Sequence, residues 1–341
     1  MRLIQLPKEL IKKVAQYLSR EYIAQLCLTC KLGYQIFLPI LYKHIVLGHR
    51  IQIRQLEQGF RRNSYLRQVA RQNTQAVTLK CRQGGNDHYW KLIFSQLPKA
   101  RQLYIRDYMA LSVNKIQHIL STLPQVNLLD IQYCELVQSQ DEEDNNLTFD
   151  HITNLNLMWT DFTVEAIERL FRCVPNLINV NLGANHNRKP LSNDTALQIM
   201  QTSCLHIRQL SVSLQQVKET TLCQAVMTYG PQLEQLSIRC EGSKTIKTIS
   251  QHATHLQRLV IRHSGCNYND VTNILKECES LNHLEMVSWP VQEVPTVVLH
   301  RVHYQAHTDI QGIRKTFALN ESDLQEIRRL CLYQDETSSL S

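Results

Sequence analysis

"QLEQLSI" at residues 232–238, "HLQRLVI" at 255–261 and "SLNHLEM" at 280–286 share one frame. An apolar residue is followed by two variable ones, then by two more apolar residues one position apart. That closing alternation puts Leu236 with Ile238, Leu259 with Ile261, and Leu284 with Met286 on one face of a short strand. The frame also fits "NLINVNL" (176–182), "IRQLSV" (207–212), "ITNLNL" (152–157) and "VNLLDI" (126–131), with degenerate copies in "ARQLYI" (100–105) and "AVTL" (76–79). The middle apolar positions are Val77, Leu103, Leu129, Leu155, Val180, Leu210, Leu236, Leu259 and Leu284, in steps of 26, 26, 26, 25, 30, 26, 23 and 25 residues. Nine copies near one period define an internal repeat. Between the strands the spacing becomes helical. "TVEAIERLFRCV" (163–174) aligns Val164, Ile167, Leu170, Phe171 and Val174, and "NDVTNILKEC" (269–278) opens on an Asn/Asp cap and buries Val271, Ile274, Leu275 and Cys278. One strand and one helix cannot close a core; stacking the units does.

The chain of 341 residues has room for two ordinary domains or one elongated array, and its 43% apolar and 20% charged content is that of a globular protein. Eleven cysteines, spread from Cys27 to Cys331, do not form a disulfide framework. "MRLIQLPKELIKKVAQ" lacks the apolar core of a signal peptide, and the run "IFLPILY" is too short to span a bilayer. Reduced thiols and a cytoplasmic or nuclear location, without membrane partners, are the expectation. The net charge of +7 is concentrated: residues 43–82 hold nine Lys or Arg against Glu57 alone. A solvated helical face is the first reading of that segment. Nucleic-acid binding is the minor one, since no RNA-recognition, helix-turn-helix or finger signature accompanies the charge.

The repeat resembles the leucine-rich repeat family in its longer, cysteine-tolerant type, over about residues 70–300. The resemblance implies a buried Asn, Cys or Thr three residues after the last strand apolar. Cys134, Thr160, Asn185 and Ser264 hold that place, while Glu241 and Trp289 depart from it. The insertions "QSQDEEDNN" (138–146) and "ANHNRKPLSN" (184–193) are expected to be loops. Ser322 with Gln325 is expected to cap a terminal helix ahead of the frayed "DETSSLS".

Residues 5–45 do not follow the repeat. "LPKELIKKVAQYL" sets Pro7 in the first turn and gives one apolar face of Leu10, Ile11, Val14, Tyr17 and Leu18. "REYIAQLCLTCK" aligns Ile23, Leu26, Cys27 and Cys30. "YQIFLPILYKHI" carries Pro39, which is expected to break or kink it. About forty residues in three helices leave apolar surface for a partner or a neighbouring domain to cover.

Leu6-Pro7-x-Glu9-Leu10, the leucine-bearing second helix, the Cys30-Lys31 pair and the closing "LPILYKHI" resemble the F-box, most closely in fungal F-box proteins with leucine-rich repeats. The resemblance implies docking on a Skp-type adaptor and, through it, on the cullin and RING subunits of a ubiquitin ligase. By position it implies adaptor contacts at Leu6, Pro7, Leu10, Ile11, Val14, Leu18, Leu26, Cys30 and Lys31. The family's aromatic three residues after the Cys is replaced by Gly33, with Tyr34 beside it.

Cys27 and Cys30 also match the spacing of zinc knuckles and redox sites. Four zinc ligands cannot be assembled around them, because His44 and His49 lack a knuckle pattern. A redox thiolate belongs at a helix start after a strand, whereas Cys30 is expected late in an amphipathic helix, so both thiols are read as buried packing. His300, His303 and His307 fall short of a ligand set, no nucleophile or phosphate-loop motif occurs, and no cofactor or enzymatic role is expected.

The expected α/β fold is therefore a three-helix F-box (1–45), a basic linker or N-terminal cap (46–75), a horseshoe of nine to ten leucine-rich repeats (76–310), and a capping helix with tail (311–341). The residues flanking the buried leucines would bind an unidentified protein target on a concave face: Lys80, Tyr104, Arg106, Asp130, Gln132, Asn156, Met158, Ser237, Arg239 and Arg262, with Val260 beside them. Its Lys and Arg residues favour an acidic or phosphorylated partner. These readings make the chain a substrate-recognition subunit of an SCF-type ubiquitin ligase. The alternative is a repeat scaffold with a degenerate F-box and no ubiquitin role.

Overall fold

The structure is a computed structural model that describes residues 6–80, 88–138, 147–183, 191–239, 242–262, 268–290, 304–309 and 312–338. The chain divides into two compact units, Met1–Asn154 and Leu155–Ser341.

The first unit begins with α1 (Lys8–Ala15), α2 (Arg20–Thr29) and α3 (Lys31–Leu41). Pro7 stands just outside α1 as its N-cap, with φ already set at −53°, and its carbonyl accepts from the amides of Leu10 and Ile11. Ser19 Oγ caps α2 by accepting from Tyr22 N. α3 runs through Pro39 without the expected break: the ring sits inside the helix, and Tyr42 N still donates to Leu38 O at 3.0 Å. The three helices enclose Ile11, Ala15, Ile23, Cys27, Phe37 and Leu38.

Residues 46–75, expected as a basic linker or N-terminal cap, hold the end of a strand and two helices. β1 (His44–Leu47) is a strand that alternates exposed and buried positions, followed by α4 (Arg50–Arg62) and α5 (Ser64–Asn73). Val69 of α5 is buried in the head's core and Leu66 packs against it. A fourth helix thus supplies part of the cover that three could not. β1 then pairs in parallel with β2 (Ala76–Lys80) and β2 with β3 (Gln102–Arg106); beyond β3, the short β4 (Leu111–Ser112) pairs with β6 (Glu135–Val137), while β3 itself pairs with β5 (Leu128–Gln132). The register sets Ile45 opposite Val77, Val77 opposite Leu103, and Leu103 opposite Leu129, so the repeat begins one strand earlier than its sequence frame. Full burial of each such side chain contributes about 1.5–3 kcal/mol. α6 (His88–Phe94) and α7 (Val113–Thr122) connect the strands, with Ser112 Oγ capping α7.

The second unit orders its strands β7 (Asn154–Asn156), β9 (Asn179–Leu182), β10 (Gln209–Val212), β11 (Gln235–Arg239), β12 (Arg258–Arg262) and β13 (His283–Pro290), with the two-residue β8 (Asp161–Phe162) outside that order. Val180, Leu210, Leu236, Leu259 and Leu284 stand opposite one another in parallel register. α8 (Val164–Cys173), α9 (Leu191–Ser203), α10 (Glu219–Tyr229), α11 (Ser243–His252) and α12 (Tyr268–Glu277) alternate with the strands. Because α12 starts at Tyr268, Asn269 and Asp270 lie inside its first turn rather than capping it. Leu191, Ser192 and Asn193, expected in a loop, open α9, and both polar residues are buried.

Three of the described turns repeat one geometry. Asp107, Tyr133 and Trp159 have φ of 62°, 54° and 58°, each four residues beyond a middle apolar position. The next residue, Tyr108, Cys134 or Thr160, is buried. Cys134 Sγ lies 3.2 Å from Gln132 O and 3.7 Å from Ile105 O, using the thiol to satisfy turn carbonyls. Trp289 occupies no such turn. It lies within β13, which pairs antiparallel with β15 (Gly312–Leu319) across an irregularity between Met286 and Trp289, and β14 (Tyr304–Asp309) pairs with β15.

The final helix, α13 (Glu321–Ser338), is capped by Asn320 and Asp323, which exchange side-chain and amide hydrogen bonds at 3.0 and 3.2 Å. The box is thus two residues before the expected Ser322, and the helix extends into "DETS". Arg328 closes the end of α12 by donating to the carbonyls of Leu275, Cys278 and Leu281. Asn185, Glu241, Ser264, His300, His303 and the insertion at 139–146 lie outside the described residues. Among the described residues no helix is long and apolar enough to cross a membrane.

Candidate interaction surfaces

On the head, the apolar face of α1 is two stripes. Ile11 and Ala15 turn inward, while Leu10, Val14 and Tyr17 point outward at i, i+4 and i+7, with Leu10 46% and Tyr17 89% exposed. Leu28 (84% exposed), Leu32 and Tyr22 add to the outward apolar residues. Of the adaptor-contact positions, Pro7, Leu10, Val14, Cys30 and Lys31 are exposed, and Leu6, Leu18 and Leu26 are half-buried against the head's core. Ile11 is 1% exposed and packs the core instead of offering a surface. The sequence placed Tyr17 on the apolar face of the first helix but not among the adaptor contacts, and Tyr22, Leu28 and Leu32 were not singled out, because apolar residues at helical spacing read as core by default.

The junction of α2 and α3 explains the missing aromatic. Gly33 is buried, and a Cβ there would lie 2.7 Å from Leu26 O and 2.9 Å from Thr29 Oγ1. No larger side chain fits while α3 leaves α2 at this angle. Tyr34 is half-buried against the head, its ring 6.0 Å from that of Tyr65.

Cys30 is the hinge residue, and the expectation that both thiols are buried fails here. It ends α2, adopts extended backbone and caps α3, its Sγ accepting from Gly33 N at 3.3 Å. That amide hydrogen bond holds the exposed Cys30 thiol below its ordinary pKa, while burial pushes Cys27 up. Among the described residues no cluster of His, Cys, Asp and Glu could hold a metal ion.

The strand face of the first unit is a connected polar network. Arg106 Nη1 pairs with Asp130 Oδ1 at 2.6 Å and also donates to Asp130 O at 3.1 Å. The Arg106 guanidinium lies 5.3 Å from the centre of the Tyr104 ring, and Tyr104 OH donates to Gln102 Oε1. His44 Nε2 is 2.7 Å from Thr78 Oγ1, and burial holds its pKa below the usual histidine range, with Arg20 adding to the effect. Gln132 reaches the far oxygen of Asp130 at 3.5 Å. Asp130 is buried against Arg106, and that pair leaves Lys80 as the exposed cation among the positions assigned on the first unit, while Arg262 is exposed on the second. The basic character expected from the sequence is correspondingly reduced.

In the second unit, Asn156 Oδ1 accepts from Met158 N, and Met158 packs over Gly183, where a Cβ would meet its side chain at 2.8 Å. These two residues shape the turn after β7. Ser237 is half-exposed, and Arg239 stands opposite Arg262 in the register of β11 and β12. Val260, placed outward by alternation, is buried. Glu285 of β13 and Arg258 of the neighbouring β12 lie 3.8 Å apart, with His283 3.7 Å from Glu285. Their signal was present in the alternation of "SLNHLEM", where the flanking residues were not carried forward.

No protein-family model matches the chain, and no curated protein matches it in sequence. Among solved structures, the leucine-rich repeat-containing protein LegL7 from Legionella pneumophila is similar at a TM-score of 0.42 and 12% identity, over 72% of this chain and 82% of that one. An internalin, inlF, from Listeria monocytogenes is similar at a TM-score of 0.36 and 13% identity, over 64% of this chain and 62% of that one. The parallel strand register shows, independently of these likenesses, a repeating strand–helix array within each unit.

Proposed function

We propose that the chain is a substrate-recognition subunit of an SCF-type ubiquitin ligase. The head docks a Skp-type adaptor, which brings the cullin and RING subunits, and the strand faces hold a protein target. The observation that carries the reading is the outward apolar set of the head, Leu10, Val14, Tyr17, Leu28 and Leu32. The helices pack their own core without these side chains, so the set serves contact with another molecule. Catalysis in this reading is proximity supplied in trans, with no reacting group on this chain.

Co-expression with a Skp-type adaptor tests it. Wild type is expected to retain the adaptor through purification, and Leu10→Ala/Val14→Ala to lose most of it while melting at the same temperature. Equal recovery from the two proteins, or none from wild type, overturns the reading.

One observation favours the repeat scaffold without a ubiquitin role: α5 adds Leu66 and Val69 to the head's core, making the head part of the first unit's own packing. A monodisperse full chain that ignores adaptor at micromolar concentration would select that alternative.

A further inference from the structure

The second unit holds a pocket of about 720 Å³ at the ends of β10 and β11, a volume within the usual range for ligand sites. The repeat explains its position. In other turns the residue five places after the middle apolar one, such as Cys134 or Thr160, is buried. After Leu210 that place falls to Gln215, which is exposed, and the left-handed residue is Gln216 (φ 56°) instead of the residue two places earlier. The turn is displaced, its filling side chain points to solvent, and the space stays open.

Val212, Leu214 and Leu222 give the pocket an apolar floor. Glu219, the first residue of α10, lines it with a carboxylate already fixed in place. Its Oε1 accepts from Thr245 N at 3.1 Å and from Thr245 Oγ1 at 3.4 Å, supplying the cap that Gly242 cannot give to α11. A Cβ at position 242 would collide with this carboxylate, so the glycine and the acid are matched. Glu219 Oε2 accepts no hydrogen bond from the described residues.

We infer that this pocket is a subsite for one basic side chain, arginine or lysine, of a bound polypeptide. The aliphatic stem lies over Val212, Leu214 and Leu222, and the charged head donates to Glu219 Oε2. Anchoring of Oε1 on α11 means that the acceptor needs no reordering. The inference rests on the reading of the strand face as the protein-binding surface, because Ser237 and Arg239 lead from that face into the pocket.

Calorimetric titration of the full chain with acetyl-Ala-Arg-Ala-amide, and with its norleucine and glutamate counterparts, tests it. The arginine peptide is expected to bind at least tenfold more tightly than the norleucine one. Glu219→Gln keeps an oxygen for Thr245 and is expected to remove that preference. Val217→Trp fills the pocket without touching the cap and is expected to abolish arginine-peptide binding. Survival of the preference in Glu219→Gln, unchanged binding in Val217→Trp, tightest binding of the glutamate peptide, or no binding of any peptide overturns the subsite. The titration contains no adaptor. A target captured equally by wild type and Glu219→Gln would remove the subsite and leave the strand-face reading intact.

Discussion

In the repeat strands of each unit the residues of the recurring apolar frame are buried, and Val77 stands opposite Leu103 in the first unit as Leu259 stands opposite Leu284 in the second. In the head, apolar residues at equally regular spacing divide between core and solvent: Ile11 and Ala15 turn in, Leu10, Val14 and Tyr17 turn out. A short strand has neighbours on both sides and a helix layer over one face, so its apolar face is fully used. A two-turn helix in a small bundle has only one side covered. The same residue type therefore means packing in one region and contact in the other.

Truncation separates the two regions most sharply. Leu236→Ala, at 1% exposure, is expected to cost about 2–5 kcal/mol in a denaturant melt. Leu28→Ala, on the head surface, is expected to stay within about 0.5 kcal/mol of wild type. A comparable loss at both positions would erase the distinction between the regions.

Gly33→Ala comes next, because the added Cβ meets Leu26 O, and a cost of about 1–3 kcal/mol is expected from overpacking. A neutral substitution would show that the α2–α3 angle gives way. Asp130→Ala removes the partner that holds Arg106 on the strand face and is expected to cost about 1–3 kcal/mol in a denaturant melt, and an unchanged midpoint would show that the pair does not matter.

The thiols sharpen the same contrast through reactivity. Among the described cysteines, iodoacetamide is expected to alkylate Cys30 first in the native protein, with a rate that rises at lower pH than for an ordinary thiol, because Gly33 N stabilises its thiolate. Burial pushes Cys134 and Cys278 up to about 11 and Cys204 to about 12. These thiols keep their protons in the folded state after the unfolded chain has ionised. Their contribution to stability is therefore complete below the ordinary thiol pKa and declines as pH rises from about 8.5 toward 11–12. Mass spectrometry after brief labelling reads the order, and early modification of Cys204 would contradict it.

The repeats were legible because one signal, the alternating frame, recurs with the period of the unit. The middle positions named from sequence align strand by strand within each unit. What the frame missed lies where it ends. His44–Leu47 is too short to show a period, and the antiparallel pair of β14 and β15 does not use the frame at all. On the candidate surfaces, positions could be assigned but not their state. Nothing in "LLDIQ" announces that Asp130 is buried against an arginine 24 residues earlier, or that Gly33 is compelled by an oxygen of the preceding helix.

Amide hydrogen exchange of the full chain, with and without a Skp-type adaptor, tests the central claim most directly. The account requires new protection in residues 6–43, strongest in α1 and around Leu28–Leu32, with the strands from Ala76 to Leu319 unchanged. Protection confined to the strands, or absent from the chain under saturating adaptor, would contradict it.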